Sequence, residues 1–291
     1  NKNLLETSDG AKIVDLEKYN LGACLIKKSD GATLYTTRDI TAAIDRYKKY
    51  KFVKMVYEVG QEQKLHFQQV FKILELLGYT WAKNCVHVYH GLYLDEDGKK
   101  FATRKGKTIF MEDILTETIS LAKEEIKKRE TLSSKELEER AEKIALSAIF
   151  YGDLKNHRTN DVVFNIEKFL SFEGNTGPYL LYSYARAKSI LIKAKYKPEK
   201  LVLSDPNDKE KELINKLANF PEIIINSFNN FSPNIIANYT YELSQIFNEF
   251  YHSNRVIGSE NEQFRLALID SFAQVLKNAL SLLGISVIDR M

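Results

Sequence analysis

Proline is absent before Pro178, and all five prolines lie from that residue onward. Glycine has the opposite distribution, because only Gly258 and Gly284 follow Gly177. Proline and glycine mark turns and helix ends, so this change predicts two segments of different architecture. We place the boundary so that one domain covers residues 1–165 and the other covers residues 166–291.

Cysteine is scarce, with Cys24 and Cys85 each in apolar surroundings. Two separate thiols are too few for a four-cysteine zinc site, and they suit a reducing compartment, so we expect no metal site and a cytoplasmic location. No apolar run approaches the length of a membrane span, and no signal peptide opens the chain. The net charge of +3 is slight, so any nucleic-acid binding has to come from local patches.

Short β-branched runs alternate with helical patterns in the first domain. Strands are predicted over residues 21–27, 32–35, 52–59 and 85–94. One intervening helix has Thr36 and Thr37 as candidate N-caps. The other covers residues 62–77 and has an expected inner face of Leu65, Val70, Phe71, Leu74 and Leu77. A β-α-β-α-β order predicts a doubly wound parallel sheet that binds ligands at the carboxyl ends of its strands.

Helical periodicity dominates the rest of the chain. Helices are predicted over 111–129, 134–151, 178–195, 208–219, 221–229, 233–254 and 260–283. Ser133 and Glu136 have the spacing of a capping box. The last helix carries an apolar stripe typical of a bundle core: Leu268, Ile269, Phe272, Val275, Leu276, Ala279 and Leu280. The fold class expected is α/β followed by all-α.

A glycine-flanked cationic loop follows the strand at 85–94. It contains Lys99, Lys100, Arg104, Lys105 and Lys107. Charge and glycine alone favour a solvated hairpin tip, since most charge runs are solvated surface. A position after a parallel strand favours a polyphosphate-binding loop instead.

Several segments, taken in order, resemble arginyl-tRNA synthetase, a class I aminoacyl-tRNA synthetase. They are 34–40, 60–63 with 66–67, 90–92, 98–106, 172–182 with 185–186, 282–285 and 290–291. The resemblance implies the second half of a doubly wound, Rossmann-like catalytic domain followed by a helical-bundle anticodon-binding domain. It implies ATP-dependent activation of arginine and its transfer to arginine tRNA. The expected partners are arginine, ATP with Mg²⁺ and arginine tRNA, and the expected state is a monomer.

The resemblance assigns arginine binding to Tyr35, Asp39 and Gln63. A buried carboxylate paired with a guanidinium suits that role. Without the family, Asp39 is better explained as a capping carboxylate and Gln63 as a solvent-facing amide.

The resemblance also assigns ATP binding to His66, His90 and Gly91. The last of these would let the backbone approach the nucleotide. A lone histidine without that context is more often structural.

The cationic loop then corresponds to the class I phosphate-binding motif, written Lys-Met-Ser-Lys-Ser. The aligned residues are Lys100-Phe101-Ala102-Thr103-Arg104, which lack the second lysine. The predicted catalytic set is Lys100, Thr103, Arg104, Lys105 and Lys107. Which of Arg104, Lys105 and Lys107 meets the pyrophosphate is left open.

Tyr179, Tyr182, Arg186 and Met291 match positions where the family contacts tRNA. Three-residue spacing puts both rings on one helix face, where they could stack on unpaired bases. From the residues alone, the two rings would fit a bundle core equally well.

The family's first catalytic motif, His-x-Gly-His or similar, does not occur in these 291 residues. We therefore expect this chain to correspond to the carboxyl-terminal half of the synthetase and to be inactive alone. The alternative is a non-catalytic tRNA-binding paralogue or anticodon-binding module, although Tyr35, Asp39 and Gln63 would then have little purpose.

Overall fold

A computed structural model describes residues 4–95, 97–99, 110–128, 130–198 and 205–291 of the chain. By internal contacts these form two compact units, Asn1–Leu92 and Tyr93–Met291. This division concerns packing only, so the domain boundary expected between residues 165 and 166 stays a prediction. No helix within the described ranges is long and apolar enough to cross a membrane.

The first unit opens with a three-stranded antiparallel sheet. Its strands are β1 (Glu6–Ser8), β2 (Ala11–Asp15) and β3 (Ala23–Lys27), in that spatial order. The strand predicted over residues 21–27 corresponds to β3, and it contributes to this antiparallel sheet and not to a parallel one. Residues 16–22, which contain a 3₁₀ turn over Glu17–Tyr19, connect β2 to β3, and antiparallel neighbours can be joined without a long crossover.

A parallel strand pair forms the second part of this unit. β4 (Met55–Gly60) and β5 (Cys85–His90) run in register from Met55–Cys85 to Gly60–His90. The crossover between them contains α2 (Lys64–Leu76), preceded by a 3₁₀ turn over Gln61–Gln63. Parallel strands joined through a helix confirm the predicted β-α-β unit.

The helix α1 (Tyr35–Tyr50) begins earlier than expected. Residues 32–35 form no strand, because only Thr33 makes an isolated bridge, to Lys27. Leu34 is the N-cap and provides no side-chain cap. The prediction that Thr36 or Thr37 caps the helix was wrong, since Thr36 is buried and the Thr37 hydroxyl donates to the carbonyl of Ile26.

The inner face of α2 also differs from expectation. Val70 and Leu74 are buried as predicted, but Leu65 is exposed and the core instead contains Phe67 and Ile73. Leu65 lies nine positions before Leu74 within α2, and at about 3.6 residues per turn this places the two side chains on opposite sides of the helix. Leu77 is exposed too, beside the Gly78 turn, where φ is +91°.

The second unit is mostly helical. Its helices are α3 (Met111–Lys127), α4 (Ser134–Leu154), α5 (Ile166–Leu170), α6 (Gly177–Lys193), α7 (Asp208–Ala218), α8 (Phe220–Asn230), α9 (Asn234–Ser253) and α10 (Glu262–Leu282). Two short parallel strands, β6 (Tyr93–Leu94) and β7 (Val162–Val163), complete it. The predicted strand 85–94 is therefore two strands, interrupted after His90.

Side-chain caps begin several of these helices. Ser133 and Glu136 form the predicted capping box, and Asn207 and Glu210 form a second one. The apolar stripe on α10 faces the core as predicted, with only Val275 half-buried. At its centre the rings of Phe247 and Phe272 stack at 3.8 Å between centroids.

Glycine allows close helix packing at the start of α6. A Cβ atom added to Gly177 would lie 2.1 Å from the Ser147 carbonyl oxygen of α4. The Thr176 hydroxyl accepts from the backbone N–H of Tyr179, and Pro178 occupies the first turn. This geometry fixes where the residues of α6 face.

Candidate functional sites

The predicted arginine-binding residues of α1 lie at its first two turns. Tyr35 begins the helix and is 78% exposed, and Asp39 follows one turn later on the same face. An Asp39 carboxylate oxygen lies 2.7 Å from Nε2 of His66 on α2. Because a carboxylate only accepts, Nε2 carries the hydrogen and donates it.

This contact brings together one predicted arginine-binding residue and one predicted ATP-binding residue. His66 orients the Asp39 carboxylate, and no other described side chain hydrogen-bonds to that carboxylate. The second oxygen can therefore accept from a cation such as a guanidinium. The contact uses Nε2 of His66 and not Nδ1, so it does not conflict with the predicted role of His66 in ATP binding.

The remaining predicted residues of this unit lie beyond the carboxyl ends of β4 and β5. Gln63 is exposed in the 3₁₀ turn after β4, while His90 ends β5 and Gly91 follows it. Gly60 and His90 are register partners, so these positions share one edge of the parallel pair. That edge is where open α/β sheets bind ligands.

The His90 ring is held in a defined orientation. Nδ1 donates to the carbonyl of Gly91 over 2.8 Å, and Nε2 lies 3.4 Å from a carboxylate oxygen of Glu58. A side chain added at Gly60 would meet the Glu62 carboxylate at 2.8 Å.

The predicted catalytic residues Lys100, Thr103, Arg104, Lys105 and Lys107 lie outside the described residues. The described part of the loop starts with a tight turn. The Asp95 carboxylate accepts from the backbone N–H of Asp97 and of Lys99, and Gly98 has φ +73°. Glycine at a positive φ confirms the predicted turn at that position.

An open groove of about 640 Å³ lies in the second unit, on α6, the carboxyl end of α9 and the chain's last residue. Tyr182, Arg186 and Met291, three of the predicted tRNA-binding residues, line it. Its wall also contains the cations Lys193 and Arg255. The lining includes no Asp or Glu, so the groove suits an anionic ligand.

Arg186 is held in place from two sides. Nη2 donates to the Tyr182 hydroxyl over 3.1 Å, with the guanidinium 4.8 Å from the ring centroid. Nη1 donates to Oδ1 of Asn248 over 2.6 Å. A cation stacked on a partly exposed tyrosine is a surface on which an unpaired base can stack.

Tyr179 does not line the groove but adjoins it through Asn248. Its ring packs edge-on against Tyr241 at 5.7 Å, and its hydroxyl accepts from Nδ2 of Asn248 over 2.8 Å. The ring is half-buried, so both the predicted tRNA role and the core alternative draw support from its position.

Met291 reaches the groove because the last residues are anchored. Ile285 and Ile288 are buried in the helical core, and Gly284 turns the chain there at φ +74°. Met291 itself packs against the same core.

Sequence reasoning missed the groove residues Lys193, Tyr251, His252 and Arg255, as well as Asn248. The basic and aromatic cluster at 251–255, at the carboxyl end of the helix predicted over 233–254, was the available signal. The described residues contain no group of three or more His, Cys, Asp or Glu able to hold a metal ion.

Comparison with family models gives two matches in succession. Residues 1–166 match the model described as tRNA synthetases class I (R), catalytic domain. Residues 180–291 match the DALR anticodon binding domain. The fold is therefore the class I catalytic domain followed by a helical anticodon-binding domain.

Individual relatives of known name agree with these family matches. The chain is 45% identical to an arginine–tRNA ligase of Halothermothrix orenii over 100% of its own length and 52% of the relative's. It is also 45% identical to that of Clostridium perfringens, over 99% and 52%. The chain belongs to the arginyl-tRNA synthetase family, and it spans about half the length of the curated relatives it matches.

Solved structures show the same fold. The arginyl-tRNA synthetase of Plasmodium falciparum superposes with a TM-score of 0.86 at 26% identity, covering 100% of this chain and 50% of that one. The Thermus thermophilus enzyme gives a TM-score of 0.87 at 24% identity, covering 99% and 56%.

Proposed function

We propose that this chain provides the arginine-binding, ATP-binding and anticodon-binding parts of an arginine–tRNA ligase. The observation that carries the proposal is the groove in which Tyr182, Arg186 and Met291 converge among further cations. Sequence resemblance named these residues separately, and α6 and the chain's last residue bring them to one surface. Unpaired RNA bases with their phosphates fit an aromatic, cationic groove of this kind.

Arginine activation is proposed at the first unit. An arginine carboxylate oxygen attacks the α-phosphorus of ATP, the bond to pyrophosphate breaks, and arginyl-adenylate forms. A terminal ribose hydroxyl of tRNA then attacks the carbonyl carbon and releases AMP. The proposed arginine ligands are Tyr35, Asp39 and Gln63, of which Asp39 pairs with the guanidinium.

ATP is proposed to bind at the shared edge of β4 and β5. His90, Gly91 and His66 are assigned to the nucleotide, and Lys100, Thr103, Arg104, Lys105 and Lys107 to the phosphates. Mg²⁺ is proposed to arrive on the ATP phosphates, as this ion usually does. Catalysis then depends on positioning and on charge neutralisation, without a protein nucleophile. A monomeric state and a cytoplasmic location stay predictions.

The test is direct binding to the 291-residue chain. Fluorescence anisotropy compares arginine tRNA with a tRNA of another specificity, and calorimetry measures arginine. We expect at least about tenfold preference for arginine tRNA, together with saturable arginine binding. Equal binding of both tRNAs would contradict the anticodon site. A chain that binds arginine tRNA but does not bind arginine would favour the non-catalytic paralogue.

A further inference from the structure

Asn248, half-buried on α9, connects two of the predicted tRNA contacts on α6. Its Oδ1 accepts from Nη1 of Arg186 over 2.6 Å. A guanidinium can only donate, so the oxygen of this amide has to face Arg186. The hydrogen bond from Arg186 thereby fixes which way the Asn248 amide is turned.

The amide nitrogen consequently faces two hydroxyls of α6. Nδ2 lies 2.8 Å from the Tyr179 hydroxyl and 3.4 Å from that of Ser183. The Ser183 hydroxyl in turn donates to the Tyr179 carbonyl over 3.0 Å. Each of the two amide hydrogens therefore has an acceptor, and the Ser183 hydrogen is used as well.

One hydrogen of this network is left for a ligand. The Tyr179 oxygen accepts from Asn248, and among the described residues its hydroxyl hydrogen has no acceptor. A phenol has a single O–H donor, so the hydroxyl is turned to donate away from Asn248.

We propose that Asn248 is a specificity-determining residue of the anticodon groove, because it sets the Tyr179 hydroxyl as a hydrogen-bond donor while it orients Arg186. This inference rests on the proposed function of α6. It identifies the recognised atom by chemistry: a carbonyl oxygen or an unprotonated ring nitrogen of an unpaired RNA base. An amino group at the same place would be rejected, since both partners would then be donors.

Asn248→Asp replaces the amide that donates to the Tyr179 hydroxyl with a carboxylate that can only accept, and it changes the shape of the side chain little. A carboxylate accepts from Arg186 and also from the Tyr179 hydroxyl, whose hydrogen is then consumed inside the protein. The hydrogen bonds between α6 and α9 persist in this variant, so a purely structural role of Asn248 predicts a small change in RNA affinity. A role in specificity predicts a large loss of RNA affinity.

The measurement is a double-mutant cycle on the 291-residue chain with a labelled anticodon stem-loop of arginine tRNA. We expect N248D and Y179F each to raise Kd about tenfold. In the Y179F background, the effect of N248D on the free energy of RNA binding should be at most about a fifth of its effect in the wild type. The altered contact with Arg186 accounts for this remaining part. Equal fold losses in both backgrounds would overturn the proposal.

Asn229→Asp is the matched control, because Asn229 is exposed on α8 and the substitution adds the same charge. It should change Kd less than about twofold. Stem-loops in which one base acceptor at a time, a carbonyl oxygen or a ring nitrogen, is removed supply a second measurement that needs no Asn248 variant. One such RNA should bind the wild type about tenfold more weakly and bind Y179F with no further loss. If every acceptor deletion costs the same in both proteins, the proposal is wrong.

A readout without RNA separates this inference from the proposed function. In protein labelled with ¹³C at tyrosine Cζ, NMR follows the hydrogen bonding of the Tyr179 phenol, because the Cζ chemical shift depends on whether the hydroxyl donates or accepts. N248D should move the Tyr179 resonance, which is identified by its loss in Y179F, and N229D should not. An unmoved resonance in N248D would refute the network even if RNA binds. A moved resonance in a chain that binds no RNA would uphold the network and refute the function.

Discussion

Asp39 and His66 come from different helices, 27 positions apart, yet they share a 2.7 Å hydrogen bond. That bond leaves one carboxylate oxygen for a ligand and holds its direction. A preorganised carboxylate binds a guanidinium more tightly than a mobile one, because less motion is lost on binding.

Replacing Asp39 with Asn should weaken arginine binding by about 10- to 100-fold, since a charge-assisted bond to the guanidinium is lost. Calorimetry on the 291-residue chain measures it, with ATP affinity expected to stay unchanged. Asp45→Asn is the control, because Asp45 lies on the same helix in an exposed pair with Lys49. Equal arginine affinity for D39N and D45N would remove Asp39 from the site.

Both cysteines are expected to be inert in the folded chain. Burial raises the pKa of Cys85 to about 11 and also raises that of Cys24. At pH 8 the reactive thiolate is therefore scarce, and access to it is limited. Mass spectrometry after iodoacetamide should show little labelling of the native chain and complete labelling in denaturant. Rapid native labelling of either residue would contradict the burial described.

At the scale of elements, the position of α6 decides which of its residues reach the groove. The absence of a side chain at Gly177 lets the start of α6 approach α4. The same helix is fastened to α9 by Arg186 and Asn248. Helix packing of this density leaves no space for an added methyl group.

Gly177→Ala should destabilise the second unit by about 3 kcal/mol, the upper end expected for an overpacked site. The reason is the 2.1 Å approach of the added Cβ to the Ser147 carbonyl oxygen, a backbone atom that cannot rotate away. Urea unfolding followed by circular dichroism measures the change. Ser189→Ala, at an exposed position of the same helix, should stay within about 0.5 kcal/mol. A neutral Gly177→Ala would show that the two helices are not in close contact.

For the whole molecule, the net charge of +3 is too small to attract RNA from a distance. Attraction has to come from cations gathered at one place. The groove gathers Arg186, Lys193 and Arg255 without an acidic neighbour in its lining.

Lys193→Ala should therefore reduce the salt dependence of tRNA binding. If Lys193 meets one phosphate, the slope of log K against log salt should fall in magnitude by about 0.7. Titrations at several salt concentrations give the slope. Lys277→Ala removes the same charge from an exposed position of α10 outside the groove and should leave it unchanged. Identical slopes for both variants would mean that the groove does not contact the RNA backbone.

Apart from the short helix α5, which was not predicted, the described helices of the second unit were predicted within a few residues, and so was the capping box at Ser133. Periodicity and capping act over three or four neighbouring positions, so a single sequence contains them in full. The glycine turn at Gly98 is similarly local. The order of motifs along the chain was also enough to indicate the family.

Other features depend on partners distant in sequence. Asp39 and His66 form their hydrogen bond across 27 positions of the sequence, and β3 pairs with β2, a strand that was not predicted from the sequence. The orientation of Asn248 is decided by Arg186, 62 positions earlier in the chain. The orientation of a hydrogen-bonding side chain is set only when packing brings its partner group within about 3 Å. No local sequence pattern specifies which distant residue will be that partner.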